Sequence, residues 1–127
     1  MAVVKDRALI LAGALLAGSA VLLGAFGDHT LRGTLTDQQL GWWRTAVQYQ
    51  MWHALALLAV AALRVHGGRA IAWLLGGGAA LFSGSLYLMA LTDARWLGVV
   101  TPLGGTAMLL GWLAFAWRVV RVEPESS

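Results

Sequence analysis

Along one face of a single apolar stretch this chain places Tyr49, Gln50 and His53, three side chains able to hydrogen-bond where water is scarce. At about 100° per helical residue, Tyr49 and Gln50 fall within about 60° of His53, whereas Gln48 points away. His53 lies about eight positions inside that stretch, near its middle, and an ionisable residue at such depth is a candidate for function by default. Three roles are open to it: a neutral imidazole bonded to a neighbouring helix, contact with a ligand, and proton relay or metal binding. Partners are available in a second apolar stretch, where Ser83 and Tyr87 stand four apart on one face. If the two stretches run antiparallel, these match the depths of His53 and of Tyr49 or Gln50. Ser83 can instead bond its own helix backbone. Thr101, beside Pro102, adds a hydroxyl in the last apolar stretch. The candidate ligand-binding set is therefore Tyr49, Gln50, His53, Ser83, Tyr87 and Thr101.

The rest of the chemistry is sparse. Cys 0 removes disulfides, thiolate metal sites and cysteine nucleophiles together, and the 3 histidines include His29 and His66, which lie in predicted loops. Paired carboxylates and a nucleophile with an adjacent base are both missing. A histidine-only haem or metal site would need two protomers. The sequence accordingly predicts no enzyme, no catalytic residue, no cofactor and no metal.

What positions the polar residues is a set of four stretches free of charged residues: 8–27, 45–63, 70–92 and 96–117. At about 1.5 Å per helical residue, each can cross a hydrocarbon core of about 30 Å. An all-α integral membrane protein follows, with one domain built as a bundle of four transmembrane helices. Composition agrees, at 59% hydrophobic and 12% charged residues with a mean hydropathy of +0.71. The net charge of +3 comes from basic residues beside the spans, where lipid headgroups lie, so nucleic acid is not an expected partner. The only tail is the short Glu123 to Ser127.

Lys5 and Arg7 precede the first apolar run, and Ala17-Gly18-Ser19 loosely resembles a signal cleavage site, yet Val21 to Phe26 continue the run to spanning length. The first helix is expected to be retained. Lys5, Arg7, Arg64, Arg69, Arg118 and Arg121 fall on one side of the spans, against Arg32, Arg44 and Arg95 on the other. By the positive-inside rule both termini are cytoplasmic. Trp42, Trp43 and Trp96 then mark the outer boundary, and Trp73 and Trp117 the inner one, as interface anchors. On this orientation the polar residues of the second, third and fourth spans occupy the outer half. Residues 56–63, 70–82 and 107–117 offer no hydroxyl, amide or ionisable group. A pathway through one copy is not expected, since ion and proton paths are marked by polar residues along their length.

Small residues predict how the helices meet. Gly13, Ala17, Ala20, Gly24 and Gly27 recur in the first span, Gly76, Ala80, Ser83, Tyr87 and Ala90 in the third, and Gly104, Ala107, Gly111 and Ala114 in the fourth. Such a repeat permits close left-handed packing driven by dispersion. In the first loop, Thr36-Asp37-Gln38-Gln39 has the capping-box pattern, so the second helix should start outside the membrane and run through Trp42 and Trp43. Leu31 and Leu35 would let a short interfacial helix precede it. Thr101-Pro102 reads in two ways: Thr101 as N-cap after an extended segment from Trp96 to Val100, which is preferred, or a helix starting earlier and kinked at Pro102. Gly104 and Gly105 would then let another backbone or a ligand approach.

Read together, Gly24-Ala25-Phe26-Gly27, His29, Thr45-Ala46-Val47, Tyr49-Gln50 and His53-Ala54-Leu55-Ala56 resemble ordered motif blocks of a known family. Phe82-Ser83-Gly84-Ser85-Leu86-Tyr87, Thr101-Pro102-Leu103-Gly104-Gly105 and Gly111-Trp112 continue the series into the fourth span. The family is the bacterial inner-membrane group catalogued as domain of unknown function 423, itself similar to the small eukaryotic transmembrane protein 256. Where that family usually has a small residue before the histidine of the first block, this chain has Asp28. The resemblance implies a small multi-pass protein of the bacterial inner membrane and brings no substrate, cofactor or reaction.

The leading expectation is a non-enzymatic membrane protein whose outer-half polar cluster binds a lipid or small molecule, or holds the bundle and a partner helix together. The alternative is a subunit of an oligomeric small-molecule or ion transporter or channel. Expected partners are membrane lipids, with a homo-oligomer or a partner membrane protein left open.

Overall fold

The computed structural model describes residues 6–121; Lys5 and the tail from Glu123, which entered the reading above, lie outside the described residues. Four long helices fill almost the whole range: Arg7–His29, Asp37–Leu63, Gly68–Thr92 and Thr101–Arg121. Each forms because its backbone polar groups have no other partner in lipid. His29 is the last residue of the first helix and not a loop residue.

The ends of the helices follow from local chemistry. Asp6 caps the first helix by accepting from the Leu9 amide at 3.4 Å. At the second, the capping box is complete, with Thr36 N donating to Gln39 Oε1 at 2.9 Å and Gln39 N donating to Thr36 Oγ1 at 3.2 Å. The second and third helices stop at left-handed residues, Arg64 with φ 52° and Asp93 with φ 56°. The short helix of the first loop is a single 3-10 turn, Leu31–Gly33. Its Leu31 turns inward onto Leu40, Trp43 and Ala90 and closes that end of the bundle.

The lead-in to the fourth helix corrects the sequence reading. Residues Arg95–Val99 form a 3-10 helix instead of an extended segment, and Thr101 is the first residue of the fourth helix instead of its cap. The Val100 carbonyl accepts from the amides of Leu103 and Gly104, so the chain is already helical before Thr101. Pro102 sits in the first turn, where its missing N–H costs nothing.

The second and third helices make the centre, with the first packed on the second and the fourth on the third. In their most apolar windows 39% and 44% of the residues are buried, against 17% in each outer helix. Glycines set the spacing where backbones cross. A methyl at Gly104 would stand 2.7 Å from the Gly78 carbonyl oxygen, and one at Gly13 would stand 3.0 Å from the Ala54 oxygen. Gly111 is closed instead by a side chain, Leu75 Cδ2 at 2.8 Å. The third-span stripe is only partly right: Ser83 and Ala90 are buried and Gly76 packs against Leu57 of the second helix, but Ala80 faces outward, and the glycine that crosses the fourth helix is Gly78, outside the stripe. Gly105 has nothing closer to its missing methyl than the Phe82 ring at 3.8 Å. A five-residue π-helical turn, Trp73–Gly77, interrupts the third helix just before that crossing.

Tryptophans divide by position around the helix. Trp73, Trp96 and Trp117 face outward at 78%, 69% and 58% exposure, as anchors should. Trp43 does not. It is 4% exposed and donates its Nε1–H to the Leu23 carbonyl at 2.8 Å, a tie between the second and first helices.

Candidate functional site

Gln50 projects from the second helix into the seam shared by the first and third. Its Nε2 donates to the Leu16 carbonyl at 2.9 Å and to Ser19 Oγ at 2.8 Å, and its Oε1 accepts from the Tyr87 hydroxyl at 2.7 Å. A carbonyl can only accept, so the amide has one orientation, and one side chain bridges three helices. Depth left Tyr49 and Gln50 both open as partners of Tyr87, and the structure selects Gln50. Beyond it, the Tyr87 ring packs edge-on against Trp43, with centroids 4.7 Å apart.

His53 looks the other way, toward the fourth helix. Its Nδ1 lies 2.8 Å from the Tyr49 carbonyl oxygen, which requires a proton on that nitrogen. Nε2 accepts from the indole N–H of Trp112 at 3.1 Å. An indole nitrogen can only donate, so this bond requires Nε2 to be bare, and the two bonds together specify a neutral imidazole in one tautomer. The Tyr49 ring stacks on the imidazole at 6.0 Å with an interplanar angle of 9° and touches Phe82 on the third helix. Tyr49 thus contributes its carbonyl and its ring face.

Hydroxyls make the remaining ties. Ser83 Oγ donates to the Ala46 carbonyl at 2.7 Å, so it bonds the second helix and not its own backbone. Ser85 and Thr101 join the third and fourth helices through an Oγ to Oγ1 contact of 2.6 Å. Ser85 also reaches the Phe82 carbonyl at 2.8 Å, while Thr101 is 3.4 Å from that of Leu97. Either hydroxyl can donate in this contact, the other donating to the backbone carbonyl beside it.

The six candidates therefore share one half of the bundle without converging on one point. Gln50 meets Tyr87, His53 meets Tyr49 and Trp112, Ser83 meets Ala46, and Thr101 meets Ser85. Neither Ser83 nor Tyr87 reaches His53. Among the described residues no buried side-chain nitrogen or oxygen lacks a partner, and no three metal-ligating side chains stand close enough to hold an ion. Ser19, Trp43 and Trp112 complete these ties and were not among the sequence candidates. Trp112 carried a usable signal: an indole N–H well inside a span, away from the headgroups, needs an acceptor in a neighbouring helix. Two clefts open at the opposite end of the bundle, and none of the six candidates lines either of them.

Residues 23–105 match the profile of a family described as protein of unknown function (DUF423). The chain is 42% identical over 120 residues to the UPF0382 membrane protein YwdK of Bacillus subtilis, covering 91% of this chain and 98% of that protein. It is 45% identical over 112 residues to the UPF0382 membrane protein SERP0230 of Staphylococcus epidermidis, covering 84% and 90%. To the UPF0382 inner membrane protein YgdD of Escherichia coli it is 38% identical over 109 residues, covering 81% and 82%. No solved structure matches significantly.

Proposed function

The chain belongs to the DUF423 family of membrane proteins, and from that premise we propose that it is a non-enzymatic, multi-pass inner-membrane protein whose polar cluster binds its own helices together. The observation that carries this reading is the saturation of Gln50: both ends of its amide are occupied by three protein groups from two other helices. A ligand entering there would have to break bonds already made. His53 adds support, because both ring nitrogens are engaged within the chain. The protein then acts through what its outer faces contact, lipids or another membrane protein, while the distal half stays rigid.

Stability and bound material separate this reading from a ligand site. Gln50→Leu and His53→Ala should each lower stability in detergent by about 0.6 to 2 kcal/mol, the range for hydrogen bonds between membrane helices. Lipids co-purifying with the protein should be unchanged. Loss of a co-purifying small molecule at unaltered stability would overturn the proposal.

We also propose that both termini are cytoplasmic. Arg69, paired with Asp6, and Arg118, lying against Gly67, are at the terminal end, whereas Arg44 and Arg95 lie at the other, paired with Asp28 and Asp93 respectively. A cytoplasm-active reporter fused after Ser127 should be active and one inserted between Asp28 and Arg44 silent. The reverse pattern would contradict the orientation.

A further inference from the structure

At the terminal end the first and third helices stand apart. Ala8, Ala12 and Leu16 of the first face Ala72, Gly76 and Ala80 of the third across an apolar cleft of about 330 Å³. The π-helical turn Trp73–Gly77 contributes Trp73, Gly76 and Gly77 to its wall, and a methyl at Gly77 would meet nothing within 4 Å. Small residues here leave space instead of closing it. Asp6, Leu9 and Arg69 also border a second cleft of about 330 Å³ beneath the loop joining the second and third helices, so the two spaces adjoin across these residues.

The second cleft has a different chemistry. Arg64, His66 and Arg69 line it, and the Arg118 guanidinium of the fourth helix lies against Gly67, 3.0 Å from where a β-carbon would stand. Asp6 is the one carboxylate among the described lining residues, and it pairs with Arg69 at 3.2 Å. Two arginines thus line the second cleft with one acid, which Arg69 pairs, and Arg118 lies beside it against Gly67.

An occupant must match both parts. It needs an anionic group at the depth of the loops and an apolar portion that runs along the spans, and the hydrocarbon around the bundle will fill a slot of this kind with chain. We propose that this double cleft binds an anionic phospholipid, its phosphate held by Arg64 and Arg69 beside Arg118, with one acyl chain lying between the first and third helices. The slot reaches the polar cluster at Leu16, whose carbonyl accepts from Gln50, but the arginines that set headgroup preference lie at the loop end, so their substitution tests the site apart from the role given to Gln50.

Delipidated protein in maltoside detergent, titrated with phosphatidylglycerol or phosphatidylcholine of identical acyl chains and read by native mass spectrometry, tests this. Phosphatidylglycerol should bind at least about fivefold more tightly, the factor expected from one arginine near an anionic headgroup. Arg64→Gln with Arg69→Gln should bring the two lipids to within about twofold of each other, and 1 M salt should shrink the preference in the unaltered protein. Ala12→Phe, at an outward-facing position in the apolar slot, should weaken both lipids and leave their ratio intact. Equal affinity for the two lipids, a preference that survives both arginine substitutions or high salt, or equal competition by inorganic phosphate would overturn the proposal. So would a second copy of the chain holding the cleft as a dimer that lipid does not dissociate.

Discussion

The two ends of this bundle are built from the same four helices and differ in what fills the seams. In the distal half, Gln50, His53, Ser83 and Thr101 are each bonded to a neighbouring helix. In the terminal half the described residues give one side-chain tie between helices, the exposed Arg69–Asp6 pair at the helix ends, and below it a cleft lies between the first and third helices. Hydrophobicity does not draw helices together in lipid, so contact requires either close packing of small residues or hydrogen bonds. The distal half has both. In the terminal half, where the first and third helices face each other mainly through alanine, glycine and Leu16, that pair of helices separates.

The contrast can be broken first at Gly104. Leucine there would overlap the Gly78 carbonyl and the backbone of Phe82, with no flexible side chain to yield. Gly104→Leu should cost about 3 kcal/mol or more, the upper end of overpacking, measured as lost resistance to thermal unfolding in detergent. A stability within about 0.5 kcal/mol of the parent would mean that the third and fourth helices do not cross at this point.

Gly18 sharpens the same contrast from the other side. It lies in the first helix, in the same glycine- and alanine-rich run as Gly13, yet a methyl there would meet nothing within 4 Å. Gly18→Ala should therefore be neutral or stabilise by up to about 1 kcal/mol, through helix propensity alone. A clear loss in the same unfolding assay would show a partner packed on that face.

Much of this was legible in the sequence, and the failures share a cause. Span lengths, the capping box at Thr36 and the depth at which Tyr87 meets Tyr49 or Gln50 depend on distance along the helix axis, which residue counting supplies. Rotation about the axis is harder to read. Trp42 and Trp43 stand at the same depth, yet Trp43 is sealed inside while Trp42 lies half-buried under the Arg95 guanidinium, 5.7 Å from its ring. A small residue is also silent about whether a neighbour closes on it: Gly104 is filled by a backbone and Ala80 borders a void. The π turn at Trp73–Gly77 adds to this, because it shifts the register that a 3.6-residue period assumes.

The central claim is that the distal polar residues hold helices and not a ligand, and the bond between Gln50 and Tyr87 exposes it most directly. The measurement is a double-mutant cycle on unfolding in detergent with Gln50→Leu, Tyr87→Phe and the pair. A bond between two helices predicts a coupling of about 0.6 to 1.7 kcal/mol, as found between side chains of other membrane helices. Additive effects with no coupling would contradict the account and return Gln50 and Tyr87 to the candidates for ligand contact.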